Sequence, residues 1–136
     1  MDNAEDRKKE YASYRLARAK EECETAVILY QAGHFRAANN RAYYSIFHAM
    51  RAVLAFDGYD SKKHSGIIGV FRKEYIKGGV FDVMMSEIIG SASEIRNASD
   101  YDDLFIADKT ETAEQIENAK IFLEEVGKYV VKRLQE

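Results

Sequence analysis

Proline is absent from all 136 residues of the chain, and only eight residues are glycine. Proline removes a backbone donor and collides with the preceding helical turn, and glycine lowers helix stability, so few positions here interrupt a helix. Apolar side chains make up 46% of the sequence, which is typical of a globular protein rather than a disordered one. A chain of this length is expected to form one domain, residues 1–136, built from long helices around one core.

Apolar side chains recur at three- and four-residue steps along most of the chain, which is the period of one face of an α-helix. The pattern predicts helices at residues 4–32, 35–56, 66–76, 81–97 and from 112 to the C-terminus. The second of these helices is apolar on two faces, with Ile46 and Val53 on one stripe and Tyr43 and Phe47 on the other. A helix of this kind lies at the centre of a bundle, and its alanines let neighbouring helices approach closely. The expected fold class is all-α, an up-and-down bundle of four to five helices.

Two signals locate the ends of these helices. Gly33 is expected to end the first helix, because glycine adopts the left-handed conformation that follows many helices. Thr112 and Gln115 have the spacing of a capping box, so the last helix is expected to start there. Residues 58–65 are expected to form a loop, and residues 98–109 an ordered connection.

The formal net charge is −3, so the chain as a whole has no basic excess. Proteins that coat nucleic acid are normally basic, because neutralising phosphates supplies most of their non-specific affinity. The charge argues against that class of protein, but a local basic groove, or one formed at a dimer interface, is compatible with it.

Cys23 is the single cysteine, so no disulfide can form within the chain, which fits a reducing compartment. It lies in a helical pattern and is expected to be a small core residue. The charged N-terminal residues are not typical of a signal peptide, and no apolar run of about 18 residues is present. We expect a cytoplasmic protein that does not enter a membrane.

The sequence contains no glycine-rich phosphate loop, no cysteine pair for zinc, and no HExxH or Gly-x-Ser-x-Gly motif. His34, His48 and His64 are scattered, so no metal and no cofactor are expected. His48 lies in the second helix, where it either bonds a neighbour in the core or at a subunit interface, or contacts a nucleotide or moves a proton. His64 follows two lysines in a loop and is expected to be solvated.

Tyrosine and arginine supply the other candidate site residues. Tyr43 and Tyr44 point about 100° apart on a helix and cannot line one face. One can pack in the core while the other faces a partner or a groove, although core packing is the first expectation for each of them. Arg96 is expected where the fourth helix ends. There it either pairs with Asp100 or Asp102, or binds phosphate with its planar fork of donors.

These segments together resemble the small stand-alone proteins of the HEPN superfamily. The resemblance extends over roughly residues 10–133. It rests on residues 42–54 (AYYSIFHAMRAVL), 64–66 (HSG) and 96–102 (RNASDYD), and on Ala119 and Phe122 in the final helix. It implies a helical bundle that is usually a dimer, and it indicates Tyr43, Tyr44 and Phe47 as expected dimer contacts.

Many HEPN proteins are metal-independent ribonucleases whose motif is an arginine, often a polar residue, and a histidine after four to six residues. Arg96 and Asn97 match the first two positions, but residues 101–103 are Tyr, Asp and Asp. A tyrosine with a pKa near 10 is a poor proton carrier at neutral pH. Arg96 and Tyr101 are therefore candidate catalytic residues of an altered site, and Arg96, Asn97, Tyr101 and His48 are candidate contacts to a nucleotide or RNA.

HEPN proteins are also often partners of a minimal nucleotidyltransferase, which in some toxin–antitoxin pairs adds AMP to a tyrosine near the motif. Tyr101 resembles such an acceptor. The leading interpretation is a non-catalytic or weakly catalytic HEPN module that binds a nucleotide, RNA or a nucleotidyltransferase, as part of a toxin–antitoxin-like or defence system. The alternatives are an endoribonuclease toxin with an altered motif and a structural helical adaptor.

Overall fold

The structure, a computed structural model, describes residues 3–102 and 106–136. Across these residues the chain forms five α-helices and no strand, which confirms the prediction of an all-α bundle. The helices are α1 (Ala4–Gln31), α2 (Phe35–Phe56), α3 (His64–Val70), α4 (Met84–Tyr101) and α5 (Lys109–Leu134), and a π-helical segment (Phe71–Ile76) directly follows α3.

Helix α2 is the central element, as its two apolar stripes predicted. It contacts each of the other four helices, most extensively α1. Small side chains allow this close packing, because Ala19 of α1 and Ala49 of α2 are fully buried. The hydroxyl of Ser45 donates a hydrogen bond of 2.7 Å to the backbone oxygen of Ala19, which joins α1 and α2 inside the core. Cys23 is buried in the same core, as expected.

Helix α1 ends as predicted, whereas the expected start of α5 is wrong. Gly33 has a φ of 83° and directly follows the last turn of α1. Helix α5 begins one turn before the expected capping box, because Asp108 accepts a hydrogen bond of 2.9 Å from the backbone N–H of Thr110. Thr112 instead donates to the backbone oxygen of Asp108, and Gln115 donates to Ser91.

The third and fourth helices also differ from their predicted ranges. Helix α3 starts at His64 rather than Gly66, and the second half of the predicted helix is π-helical. Helix α4 starts at Met84, whose backbone N–H is capped by Asp82, and it continues to Tyr101. Arg96 therefore lies inside a helix, more than one turn before its end, and not at the helix end that the sequence predicted.

A polar cluster ties the end of α2 to α5 and the π-helical segment. Arg133 donates to both carboxylate oxygens of Asp57, at 2.9 and 3.3 Å, and the hydroxyl of Tyr75 donates to the same carboxylate. The guanidinium of Arg133 also lies 4.9 Å from the ring centroid of Phe56. Because these hydrogen bonds favour the charged carboxylate, Arg133 first and Tyr75 second lower the pKa of Asp57.

Acid is expected to remove the stabilisation that Asp57 provides. Its pKa is lower in the folded than in the unfolded chain, so its contribution is complete above about pH 5 and is lost as the pH falls below its ordinary value of about 3.9. We expect Asp57→Asn to cost on the order of 1 kcal/mol at pH 6, a small value because the Asp57 side chain is 37% exposed, and much less at pH 3. Urea unfolding at both pH values measures the difference. An equal cost at pH 3 and pH 6 would contradict this account.

Candidate functional site

Arg96 lies against two tyrosine rings of α2. Its guanidinium carbon is 4.9 Å from the ring centroid of Tyr43 and 5.6 Å from that of Tyr44. Nη2 donates a long hydrogen bond of 3.4 Å to the hydroxyl of Tyr44, and Nε lies 3.5 Å from a carboxylate oxygen of Asp100. The ion pair with Asp100 that the sequence suggested is thus present, but it is long and occupies one edge of the guanidinium.

Tyr43 packs in the core and Tyr44 is more accessible, which fits the expectation that the two residues do not line one face, yet their rings converge on one arginine. Their ring centroids are 5.3 Å apart and the rings meet edge to face, and both rings contact Arg96. The Cβ atoms diverge around the helix, but tyrosine is long enough for the two ring ends to converge on the same guanidinium. Tyr43 is buried and Tyr44 is half-buried, so Tyr44 is the more accessible of the two.

His64 is not simply solvated, as its position after two lysines had suggested. Its ring stacks on Phe47 with the centroids 4.1 Å apart, and its Nδ1 is 3.0 Å from the hydroxyl oxygen of Tyr43. Burial, and then the charges of Arg96 and Arg51, lower the pKa of His64. The fold therefore places an imidazole beside Arg96, although it comes from a segment more than 30 residues earlier in the chain.

His48 has a partner on α1. Nη1 of Arg15 donates a hydrogen bond of 2.9 Å to Nδ1 of His48. Burial, followed by the charges of Arg15 and Arg18, lowers the pKa of His48 to about 4, so the ring is neutral at neutral pH. Of the two interpretations, the hydrogen-bonded histidine fits this geometry, and a ring that gains and loses a proton near pH 7 does not.

Sequence reasoning missed four further arginines that surround this cluster. The arginine face, as we call it, consists of side chains from four helices: Tyr11, Tyr14, Arg15, Arg18, Arg41, Tyr44, His48, Arg51, His64 and Arg96. A signal for it was present on α2, because residues 41, 44, 48 and 51 follow one another at three- and four-residue steps. The net charge of the whole chain does not exclude a local basic surface, and the arginine face is such a surface.

Aromatic rings and carboxylates hold these arginines in place. Arg15 lies over the rings of Tyr11 and Tyr14, at 5.1 and 5.8 Å from their centroids, and Arg41 lies 5.4 Å from that of Tyr44. Buried Glu22 accepts from Arg41 at 2.9 Å and from Arg18 at 3.5 Å. Arg51 pairs with Asp60 at 3.1 Å. Each of these guanidinium groups therefore has an aromatic ring or a carboxylate as a partner within the protein.

The remaining predicted site residues lie outside this cluster or beneath it. Asn97 is exposed on α4. Tyr101, the last residue of α4, is 81% exposed, and its ring contacts no other aromatic ring in the described part of the chain. Asp103 lies outside the described residues. The catalytic pair of Arg96 and Tyr101 stays a prediction.

Two of the three expected dimer contacts are buried within the protomer. Tyr43 and Phe47 are only 3% and 5% exposed in this protomer, so they would support an interface from beneath rather than form its surface. Tyr44 is half-buried and can reach a partner. The dimer interface also stays a prediction.

Residues 3–102 and 106–136 contain neither a metal-binding cluster nor a helix that could span a membrane. No three His, Cys, Asp or Glu side chains among these residues approach one another closely enough to hold a metal ion. No helix in the same part of the chain has the length and apolarity that crossing a membrane requires.

Comparison with known proteins shows the family of the chain. Residues 12–129 match the model of the HEPN domain. The chain is 32% identical over 118 residues to "Putative toxin MJ0142" of Methanocaldococcus jannaschii, which covers 87% of this chain and 80% of the relative. It is 28% identical over 123 residues to a "UPF0332 protein" of Thermotoga maritima, covering 90% and 93%. It is also 34% identical over 83 residues to "Putative toxin MJ0605" of M. jannaschii, covering 61% and 62%. The chain belongs to the HEPN domain family.

Proposed function

We propose that this protein is a toxin-like HEPN module that binds single-stranded RNA on the arginine face, with Arg96 as a phosphate contact. The observation that carries the proposal is the alternation of guanidinium groups and tyrosine rings across three helices, α1, α2 and α4. The relatives named as toxins support the toxin-like part of the proposal.

The chemistry of this face matches a polynucleotide chain. Guanidinium groups bind phosphate oxygens through two parallel hydrogen bonds, and aromatic rings stack on unpaired bases without regard to sequence. Tyr11 and Tyr14 are 39% and 51% exposed, so their rings are available to bases. Arg96 is paired only with Asp100 among the carboxylates of the described residues, and that pair is weak at 3.5 Å. A phosphate can therefore compete for its free edge.

Arg96→Ala is expected to weaken binding of a fluorescent single-stranded RNA by roughly 10- to 100-fold, the loss of a hydrogen-bonded charge worth about 1.5–3 kcal/mol. The slope of log affinity against log salt should also fall by about 0.7, the value for one phosphate contact in a single strand. Fluorescence anisotropy at several salt concentrations measures both quantities. Lys128→Ala is the control, because it removes one exposed charge on α5. An equal loss in both variants, or a wild type without RNA affinity, would refute the proposal.

RNA cleavage is the second candidate function, and the position of His64 favours it. The motif histidine after Arg96 is missing, but His64 and Arg96 share Tyr43 and Tyr44 as neighbours. The same RNA, incubated with chelator and run on a denaturing gel, tests this candidate. Metal-independent cleavage that disappears in Arg96→Ala would establish a ribonuclease, whereas RNA that is bound and left intact would establish a binding module.

Partner binding belongs to the same proposal. We expect a homodimer, with Tyr44 at or near its interface, and a minimal nucleotidyltransferase as a protein partner. The high exposure of Tyr101 makes its hydroxyl accessible to an AMP-transferring enzyme. Mass spectrometry after incubation with the transferase and ATP tests that step, and an unchanged mass would exclude it. A structural adaptor predicts neither RNA binding nor any effect of Arg96→Ala.

A further inference from the structure

Both histidines of the arginine face use Nδ1 for a contact inside the protein. Nδ1 of His48 faces Arg15 at 2.9 Å, and Nδ1 of His64 faces the hydroxyl of Tyr43 at 3.0 Å. Nε2 of each ring makes no hydrogen bond within the described residues, and neither atom is buried. The partner of Nδ1 in each ring therefore determines whether Nε2 carries the proton and donates to a ligand, or lacks it and accepts.

The partner of His48 permits one neutral form of the ring. A guanidinium has only N–H donors, so Nδ1 of His48 must accept, and a neutral imidazole then carries its proton on Nε2. A second proton on Nδ1 would face the cation of Arg15. Burial and the charges of Arg15, Arg18 and Arg51 oppose that second proton, and Glu22 only partly offsets them. The outward atom of His48 is thus a donor.

The hydrogen bond with Tyr43 selects the same tautomer in His64. Tyr43 is 3% exposed, and burial raises the pKa of its hydroxyl, which therefore keeps its hydrogen. Nδ1 of His64 is the acceptor that this hydrogen has within the described part of the chain. The opposite tautomer would leave the phenolic hydrogen buried without an acceptor, which costs about 1–3 kcal/mol. Tyr43 therefore donates to Nδ1, and the proton of His64 lies on Nε2.

We propose that His48 and His64 are both neutral Nε2–H tautomers, and that with the arginines they form a surface of hydrogen-bond donors whose ligand is the phosphate group of RNA. The choice of RNA rests on the function proposed above, while the tautomers do not. A phosphodiester offers only acceptors and is the matching group. An imidazole with its proton on Nε2 cannot take a proton from a ribose 2′-hydroxyl at that atom. The face therefore binds RNA without using these rings as bases.

Long-range ¹H–¹⁵N NMR spectra of the free protein at pH 7.5 test the tautomers directly, because protonated and unprotonated ring nitrogens resonate in separate regions. His48→Asn and His64→Asn assign the signals. We expect both rings to show a protonated Nε2 and an unprotonated Nδ1. Exposed His34, whose side chain makes no capping bond, serves as the internal reference for a solvated ring. A protonated Nδ1 in His48 or in His64 would overturn the proposal, whatever the protein binds.

A matched pair of variants tests the donor role of His64 toward RNA. His64→Gln places an amide N–H near the position of Nε2, whereas His64→Asn keeps a polar group only near Nδ1, where it can still meet Tyr43. With folding checked by circular dichroism, we expect RNA affinity to fall roughly 3- to 10-fold in His64→Asn, less in His64→Gln, and not at all in His34→Asn. Wild-type affinity in His64→Asn, while Arg96→Ala still weakens binding, would overturn the donor role and leave the RNA proposal standing. RNA cleavage abolished in His64→Asn would overturn it as well.

Discussion

Replacing Phe71 by alanine is expected to lower the free energy of unfolding by about 4 kcal/mol, because it opens a cavity between the π-helical segment, the connection that follows it and α5. Phe71 begins the π-helical segment and is fully buried. Its ring centroid lies 5.4 Å from that of Phe81 and 5.6 Å from that of Phe122 on α5. These neighbours are themselves large and buried, so they cannot collapse into the space that the ring leaves.

Urea unfolding followed by circular dichroism measures this cost. Phe71→Leu is the matched variant, because it keeps most of the volume, and we expect it to lose less than half as much stability as Phe71→Ala. Val131→Ala, at an exposed position of α5, should change stability by no more than about 0.5 kcal/mol. A cost below 1 kcal/mol for Phe71→Ala would show that the ring does not hold these elements together.

Enlarging Ala19 to leucine is expected to cost about 1–3 kcal/mol and to disturb the site as well. Ala19 is fully buried in the bundle, and its backbone oxygen accepts the hydrogen bond from Ser45 of α2. A leucine there pushes α1 away from α2. Because Arg15 lies one turn away on α1, the same displacement should lengthen its hydrogen bond to Nδ1 of His48.

Ala17→Leu is the control for this experiment, since Ala17 is exposed on the same helix. Urea unfolding gives the stability of both variants, and the ¹⁵N resonance of His48 Nδ1 reports the contact with Arg15. We expect both quantities to change in Ala19→Leu and neither in Ala17→Leu. A destabilised Ala19→Leu with an unchanged His48 resonance would show that the packing of α1 and the geometry of the site are independent.

Much of the fold could be predicted from the sequence because helix periodicity is a local property. The double stripe of α2, with Ile46 on one side and Phe47 on the other, gave its central position correctly. The left-handed Gly33 gave the end of α1 correctly. The predicted start of α5 was wrong because two candidate N-caps lie close together in the sequence. Asp108 caps the helix, whereas Thr112 lies inside it and bonds the backbone oxygen of Asp108. Nothing in residues 71–76 distinguishes a π-helix from an α-helix by period alone.

The candidate site was less predictable because its contacts are non-local. Arg96 was singled out from its place in the fourth predicted helix, and then from the resemblance, but its neighbours Tyr43 and His64 come from two other helices. The two lysines before His64 favoured a solvated ring, and only tertiary packing places that ring on Phe47. The stripe of residues 41, 44, 48 and 51 was visible in the sequence. That this stripe forms part of a basic surface follows only from the packing of α1, which places Arg15 and Arg18 beside it.

The arginine face also differs in charge from the rest of the chain. Its five arginines, with Lys62 and Lys63 just before His64, outnumber the four carboxylates that pair with them, whereas the whole chain carries −3. The rest of the chain therefore has a net negative charge. If the face binds RNA as proposed, this difference in charge steers a diffusing polyanion toward it. This steering acts before any contact forms, and it weakens as added salt shortens the Debye length to about 10 Å at 0.1 M.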